Sequence, residues 1–336
     1  TNALDFGADY SFWNGRLTGS LDYYFRATSN LLDYQRVAAS NGYSSIPVNM
    51  GTVQNYGFEF EANYGIFRNK DFKWDVSLNM TFQKNKIHKL SGDYENGQYV
   101  NGSRIYKEGQ SIYNLYLVHY EGVDPETGMA LYTGVKTDGN GQPVKDETGN
   151  YTYESTTNWN NAYNYARRST SSLLPDMFGG LGTSLAWKGF DFSIQTSFQL
   201  GGDIFDSGYQ TLMDTSNGFT AGQNWHKDIL KSWTPTNTHT DVPRADNVDN
   251  YANSISDRFL ISSDYFSIDN ITLGYTLPKS VTAKIGIEAL RVYFAADNVA
   301  LFSARQGLDP RLGIVSASTS FYTSRRSLTG GIKLTF

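Results

Sequence analysis

No cysteine occurs among the 336 residues. Disulfide frameworks, cysteine-bearing zinc sites and thiol nucleophiles are therefore excluded. Proline is scarce at eight residues, and charged residues make up only 18%, below the usual share of about a quarter. No stretch approaches the roughly 18 consecutive apolar residues of a membrane-spanning helix. Thr1–Asp9 has neither the basic start nor the apolar core of a signal peptide. The net charge is -5 and no Lys/Arg cluster appears, which argues against a nucleic-acid partner. Four histidines are present, His88, His119, His226 and His239. None pairs at i, i+4 and none has a metal-ligand spacing, so they read as loop or interface residues. Nucleophile-elbow and phosphate-loop patterns are missing. Nothing in the chain asks for an enzyme.

What is present is aromatic and glycine-rich: 24 Tyr, 20 Phe, 6 Trp and 32 Gly. That mixture suits many strands joined by tight turns. The dominant signal has period two. Phe72, Trp74, Val76, Leu78, Met80 and Phe82 alternate with Lys73, Asp75, Ser77, Asn79, Thr81 and Gln83. Successive side chains of a strand point to opposite faces, so one face here is apolar and the other polar. Phe190, Phe192, Ile194, Phe198 and Leu200 repeat the pattern against Asp191, Ser193, Gln195, Ser197 and Gln199. Leu4, Phe6, Ala8, Tyr10 and Phe12 do so near the start. About nine such segments are predicted, at 3–13, 16–30, 54–66, 71–87, 178–187, 190–204, 263–277, 289–303 and 325–336. Several reach the roughly 9–11 residues that a strand needs to cross a bilayer.

The connections sort by length. Asn14-Gly15, Arg68-Asn69-Lys70 and Trp187-Lys188-Gly189 are short, and 278–288 is the slightly longer last one. Long loops are expected at about 31–53, 88–177, 205–262 and 304–324. Short and long alternate strictly, as periplasmic turns and external loops do in outer-membrane barrels. Tyr10 and Phe12, Tyr23 and Phe25, Phe72 and Trp74, and Phe190 and Phe192 are expected beside the short turns, as an interfacial girdle. The last strand alternates up to Leu334 and Phe336 and reads as a terminal insertion strand. The expected fold is all-β: antiparallel transmembrane β-barrel strands, about nine here out of a larger barrel of about 22, with long extracellular loops. Bacterial single-chain barrels have even strand numbers, and an open sheet would leave edges in lipid. Both points lead us to expect earlier strands before Thr1.

Several stretches carry a resemblance. They are Asn49-Met-Gly51, Asn55-Tyr-Gly57-Phe-Glu59, Pro175-Asp-Met-Phe-Gly179-Gly180, Trp187-Lys-Gly189-Phe190-Asp191, Gly201-Gly202-Asp203-Ile204 and Trp233-Thr-Pro235. The most specific block runs from Ser263-Asp-Tyr265 through Asp269-Asn270 to Leu277-Pro278, followed by Arg291-Val292-Tyr293, Asp297-Asn298 and Gly307-Leu-Asp309-Pro310. In this order and spacing they resemble the C-terminal barrel region, here 1–336, of SusC/RagA-like TonB-dependent transporters from Bacteroidetes outer membranes. The resemblance implies a plug domain, a TonB-contacting segment and further strands outside this sequence. It also implies a SusD-like surface lipoprotein, the TonB complex and the lipid bilayer as partners, with glycan or peptide as the substrate. The alternative is a passive porin or a surface adhesin or glycan-binding β-protein.

Candidate site residues fall in two groups. Tyr116, Tyr120, Trp159, Tyr163, Tyr165, Trp225 and Trp233 lie in long loops beside amides. Flat rings and amides suit sugar or peptide ligands, and they equally suit loops that pack on themselves; both readings stand. Glu59, Glu61, Asp75 and Asn79 fall on polar strand faces. Paired carboxylates can do acid–base work, but in a barrel this face lines the lumen, and wall–plug hydrogen bonds are the expected role. Asp138, Asn140 and Asp146 loosely resemble a calcium loop, but the EF-hand spacing fails. Asp246, Asp249 and Asp257 form an acidic run. No cofactor is expected, with a loop calcium site as the one open alternative.

Overall fold

The computed structural model describes residues 1–90, 97–215, 222, 224–245, 249, 251–313, 316–317 and 324–336. Nine long strands follow in chain order: β1 Asn2–Phe12, β2 Leu17–Arg36, β3 Ser45–Arg68, β4 Phe72–Leu90, β5 Met177–Trp187, β6 Phe190–Leu200, β7 Tyr265–Thr276, β8 Ala289–Ser303 and β9 Ser327–Thr335. Each pairs antiparallel with the next in one sheet. Among the described residues β1 bonds only to β2 and β9 only to β8. The sheet is an open part of a barrel wall.

Register turns the sequence pattern into two surfaces. One row runs from Ala8 through Leu21, Phe60, Met80, Gly179, Phe198 and Phe266 to Phe302, across eight strands. The next row along the strands is Gly7, Asp22, Glu59, Thr81, Phe178, Gln199, Tyr265 and Ser303. The first is apolar, and the second is polar apart from its glycine and Phe178. A one-residue slip would put carboxylates where Leu and Phe now stand, so burial of one face in lipid fixes the pairing. Polar atoms on the apolar face find partners within it. The Trp74 indole N–H donates to the Thr183 hydroxyl at 2.9 Å, which satisfies it where water is excluded.

The apolar run on β4 measures the membrane. Phe72 to Phe82 spans ten residue steps, or about 33 Å along the strand. A tilt of about 40° leaves about 25 Å across the bilayer, the height of the apolar band in such barrels. Beyond Phe82 the same face continues as Lys84, Lys86 and His88. Lys84 pairs with Asp176 at 2.5 Å, and the Lys86 ammonium lies 5.9 Å from the Tyr56 ring centroid. The strand leaves the hydrocarbon there.

Aromatic rings meet at the short-turn end. Phe12 and Trp13 lie 6.3 Å apart, Phe67 and Phe72 5.7 Å, and Phe190 and Tyr275 4.4 Å. Tyr10, Phe12, Phe72, Trp74, Phe190 and Phe192 fall within this belt as expected. Tyr23 and Phe25 do not: they pair with Phe6 and Leu4, toward the opposite end of the hairpin. The turn itself has Trp13 and Asn14 at positive φ, 53° and 56°.

A second difference concerns the expected loop at 31–53. β2 and β3 continue through most of it, leaving only 37–44 as the connection. The ladder shifts register between Thr28 and Leu31, where Asn30 has φ 57°. That bulge breaks the period-two phase, and the strand becomes illegible in sequence although Leu31, Leu32, Tyr34, Ile46 and Val48 carry it on.

On the polar face the Arg291 guanidinium bridges Asp191 with two bonds, of 2.9 and 2.5 Å. The two residues lie on β8 and β6, with β7 between them. They meet because Gly274 stands on β7 at the crossing point, where an added Cβ would lie 2.4 Å from the guanidinium and 2.6 Å from the carboxylate. Glycine in a strand interior marks such a close approach.

These faces predict different tolerances. Leu78→Arg should cost about 2–4 kcal/mol near mid-bilayer, whereas Asn79→Ser on the opposite face should stay within about 0.5 kcal/mol. Urea unfolding of the barrel in lipid bilayers, read by heat-modifiable migration, checks this; equal losses would contradict the face assignment.

Candidate functional site

The lumen face supplies one surface. Glu59 and Glu61 on β3 stand opposite Thr81 and Asn79 on β4. Glu61 accepts a hydrogen bond from the Asn63 amide at 2.9 Å. Asp75 lies nearer the short turns, opposite Gly65 and Ser184, and pairs with Arg68 at 3.4 Å. The structure thus brings Glu61 and Asn79 together and holds Asp75 apart. Asp22 faces Glu59, and Asp5 and Asp9 share their parity, so the inner surface of β1–β3 is acidic. Leu334 pairs with Leu290, and Phe336 ends the chain 85% exposed on the lipid side.

The long loops supply the other surface, and they are folded. A four-stranded sheet combines Gln98–Asn101, Arg104–Lys107, Asn114–Leu117 and Arg168–Ser172. A three-stranded sheet combines Tyr120–Val123, Ala130–Val135 and Tyr153–Thr156. A short helix, Trp159–Tyr165, is capped by the Asn158 side chain. Val118, Ala130, Tyr132 and Ala162 form a buried cluster, with Tyr120, Trp159, Tyr163 and Tyr251 packed on it. Burial pushes the Tyr120 and Tyr132 phenols above their ordinary value of 10.

Three carboxylates tie distant loop segments together, Asp206 and Asp249 buried and Asp257 half-buried. Asp249 accepts the N–H groups of Ala130 at 2.7 Å and Tyr251 at 2.9 Å. Asp257 accepts the Tyr120 N–H at 2.8 Å and the Arg168 guanidinium at 2.9 Å, and lies 2.7 Å from the His119 ring. Asp206 caps the helix Ser207–Leu212 and takes two bonds from Arg305. For Asp206 and Arg305, removing the arginine would leave a buried carboxylate uncompensated.

Most of the predicted loop aromatics belong to this scaffold. The Trp159 indole donates to the Ile255 carbonyl at 3.0 Å, and the Tyr120 hydroxyl to the Asp241 carbonyl at 2.7 Å. Tyr116 and Tyr163 sandwich the Arg167 guanidinium, at 4.7 and 4.0 Å. The Trp233 ring lies over Gly128, which has φ +75° and no room for a side chain, and donates to the Pro125 carbonyl at 3.1 Å. Trp225 is half-buried beside His226. Tyr165 stacks edge-on with Tyr151. Of the acidic candidates, Asp138 and Asp146 each hold backbone N–H groups of their own turns. Asp246 lies outside the described residues. Among the described residues no group of three or more His, Asp or Glu could hold a metal ion.

Two hollows were not legible in sequence. The segment 303–311 folds back over the lumen face and encloses about 520 Å³ against β8. Arg311 forks onto the buried Asp309 with bonds of 2.8 Å and reaches the Ser267 hydroxyl at 3.0 Å. Arg305 and Arg326 complete its wall. The Asp-Pro pair at 309–310 starts a helical turn, with Asp309 accepting the Arg311 N–H. A wider cleft of about 920 Å³ runs between Glu121–Pro125 and Leu230–Asp241, with Leu230 87% exposed at its edge.

Residues 1–106 match the family described as TonB dependent receptor-like, beta-barrel. TonB-dependent receptor P3 of Formosa agariphila is 30% identical over 319 residues, 91% of this chain and 30% of its own length. TonB-dependent receptor SusC of Bacteroides thetaiotaomicron is 30% identical over 321 residues, 93% of this chain and 29% of its own. The chain belongs to the TonB-dependent receptor family. The receptor chain spans about 30% of the length of these curated relatives. Its fold is that of the RagAB peptide transporter, with TM-score 0.80 and 23% identity, covering 99% of this chain and 35% of that one. The strands of the receptor therefore cross a bacterial outer membrane, with the long loops outside. Its relatives carry the names of receptors.

One loop of the receptor is expected to respond to pH. His226 caps the turn Lys227–Lys231 by accepting the Asp228 N–H at 3.2 Å on its Nδ1, which requires a neutral ring. Burial holds its pKa below the ordinary 6.5 and outweighs the opposing pull of Asp228 and Asp206, while Arg305 and Lys227 push the same way as burial. With the folded value depressed, the cap's contribution is present above pH 6.5 and lost as pH falls through the folded value. Hydrogen-exchange protection factors at 227–231, corrected for the intrinsic pH dependence of exchange, should fall as the pH drops below the ordinary histidine value, and His226→Asn should flatten that dependence.

Proposed function

We propose that this chain forms the mouth and part of the wall of an outer-membrane, TonB-dependent nutrient importer for glycans or peptides, working with a SusD-like surface lipoprotein. The carrying observation is the 30% identity to SusC over 93% of the chain. The likeness of fold to a peptide transporter supports the same reading. The loop layer fits that role: its aromatics and buried carboxylates hold a shaped rim over the lumen. Tyr116, Tyr120, Trp159, Tyr163, Trp225 and Trp233 then act as the rim's framework, with their exposed edges available to substrate.

The hollow under 303–311 is the substrate contact we favour on the inner wall, because its guanidinium and hydroxyl groups face the lumen. Glu59, Glu61, Asp75 and Asn79 hold wall–plug hydrogen bonds, and the strand ending at Leu334 and Phe336 serves insertion.

The test is uptake of labelled oligosaccharide and oligopeptide by cells with and without the intact gene. Deletion should abolish uptake of one substrate class, and a protonophore should abolish it equally, because TonB draws on the inner-membrane gradient. Uptake that survives the protonophore would indicate a passive porin instead.

A further inference from the structure

A groove opens on the lipid face at the short-turn end, between β4, β5 and β6. Phe72, Leu185, Trp187, Phe190 and Phe192 line its volume of about 360 Å³. The register explains the hollow. Leu185 pairs with Trp74 on one side and Phe192 on the other, while Trp187 pairs with Phe72 and Phe190 in the row nearest the turn. Rigid rings surround a smaller aliphatic floor. Trp187 and Phe190 stack at 6.5 Å, with planes 23° apart, which leaves a slot rather than a closed surface.

The rim carries charge. Lys188 sits in the β5–β6 turn with φ 45°, an uncommon backbone for lysine, and its ammonium lies 5.8 Å from the Trp187 ring centroid. Its N–H donates to the Asp71 carbonyl at 3.3 Å, which places the β3–β4 turn, with Lys70, directly alongside. Asp191 is turned to the lumen and bound by Arg291. Lys70, Lys188 and Asp71 leave one net positive charge at the mouth of an apolar slot, at the depth of the periplasmic headgroups.

We propose that this groove is a binding site for an anionic glycerophospholipid of the periplasmic leaflet. One acyl chain lies over Leu185 between the rings, and the phosphate meets Lys188 and Lys70. The inference extends the outer-membrane assignment and does not depend on what the importer carries.

Native mass spectrometry of the intact receptor, purified from outer membranes in mild detergent, tests it. Phosphatidylglycerol and phosphatidylcholine with identical chains serve as probes. The wild type should retain phosphatidylglycerol about fivefold better, the attraction of one net charge at the membrane surface. Lys70→Gln with Lys188→Gln should remove the preference. Leu185→Trp should remove the bound lipid while keeping an apolar face, with heat-modifiable migration confirming a folded barrel. Equal retention of the two lipids by the wild type would overturn the proposal, as would a preference that survives the double lysine variant or a lipid adduct that survives Leu185→Trp.

Discussion

In the bilayer an unpaired backbone N–H or C=O is too costly, and the membrane-crossing part of this chain follows from that constraint. It requires strands that bond continuously to their neighbours. It requires one apolar face, because lipid covers it. It fixes the register, because a slip would expose carboxylates to hydrocarbon. Even the side-chain exceptions obey it. Thr183 on the lipid face stands beneath an indole N–H, and Lys84, Lys86 and His88 begin only where the apolar run has crossed about 25 Å.

Outside the membrane the constraint changes, and so does the chemistry. The loops fold around tyrosines and a few buried carboxylates. Asp249, Asp257 and Asp206 join segments 119, 137 and 99 residues apart in sequence. Their replacement would free several backbone and guanidinium donors at once. The result is a folded loop layer rather than loose tethers. Inside, the acidic surface of β1–β3 and the guanidinium-lined hollow under 303–311 give the wall two regions of different charge.

The membrane part was legible because its information is local. Period two, turn residues and loop alternation placed all nine strands in order, and five residues of one stretch sufficed to assign a face. Where local phase was lost, legibility was lost: past the bulge at Asn30, residues 31–36 of β2 and 45–53 of β3 were read as loop. Tyr23 and Phe25 were misplaced because hairpin register decides height, and register is a pairing between strands. The loop aromatics were found as a set, but whether Trp159 packs inward depends on Ile255, almost a hundred residues away. The hollow under 303–311 had only the Asp309-Pro310 pair as a signal, and that pair marks a turn rather than a site.

The most direct measurement of the two-faced wall exploits the chain's lack of cysteine. Single cysteines introduced from Phe72 to Gln83 on β4, each spin-labelled, report collision with oxygen dissolved in the lipid and with a water-soluble nickel chelate. Oxygen contact should peak at even-numbered positions and chelate contact at odd-numbered ones, in opposite phase along the whole stretch. Uniform chelate access, or a repeat near 3.6 residues, would contradict a strand with one face in lipid and the other in the lumen.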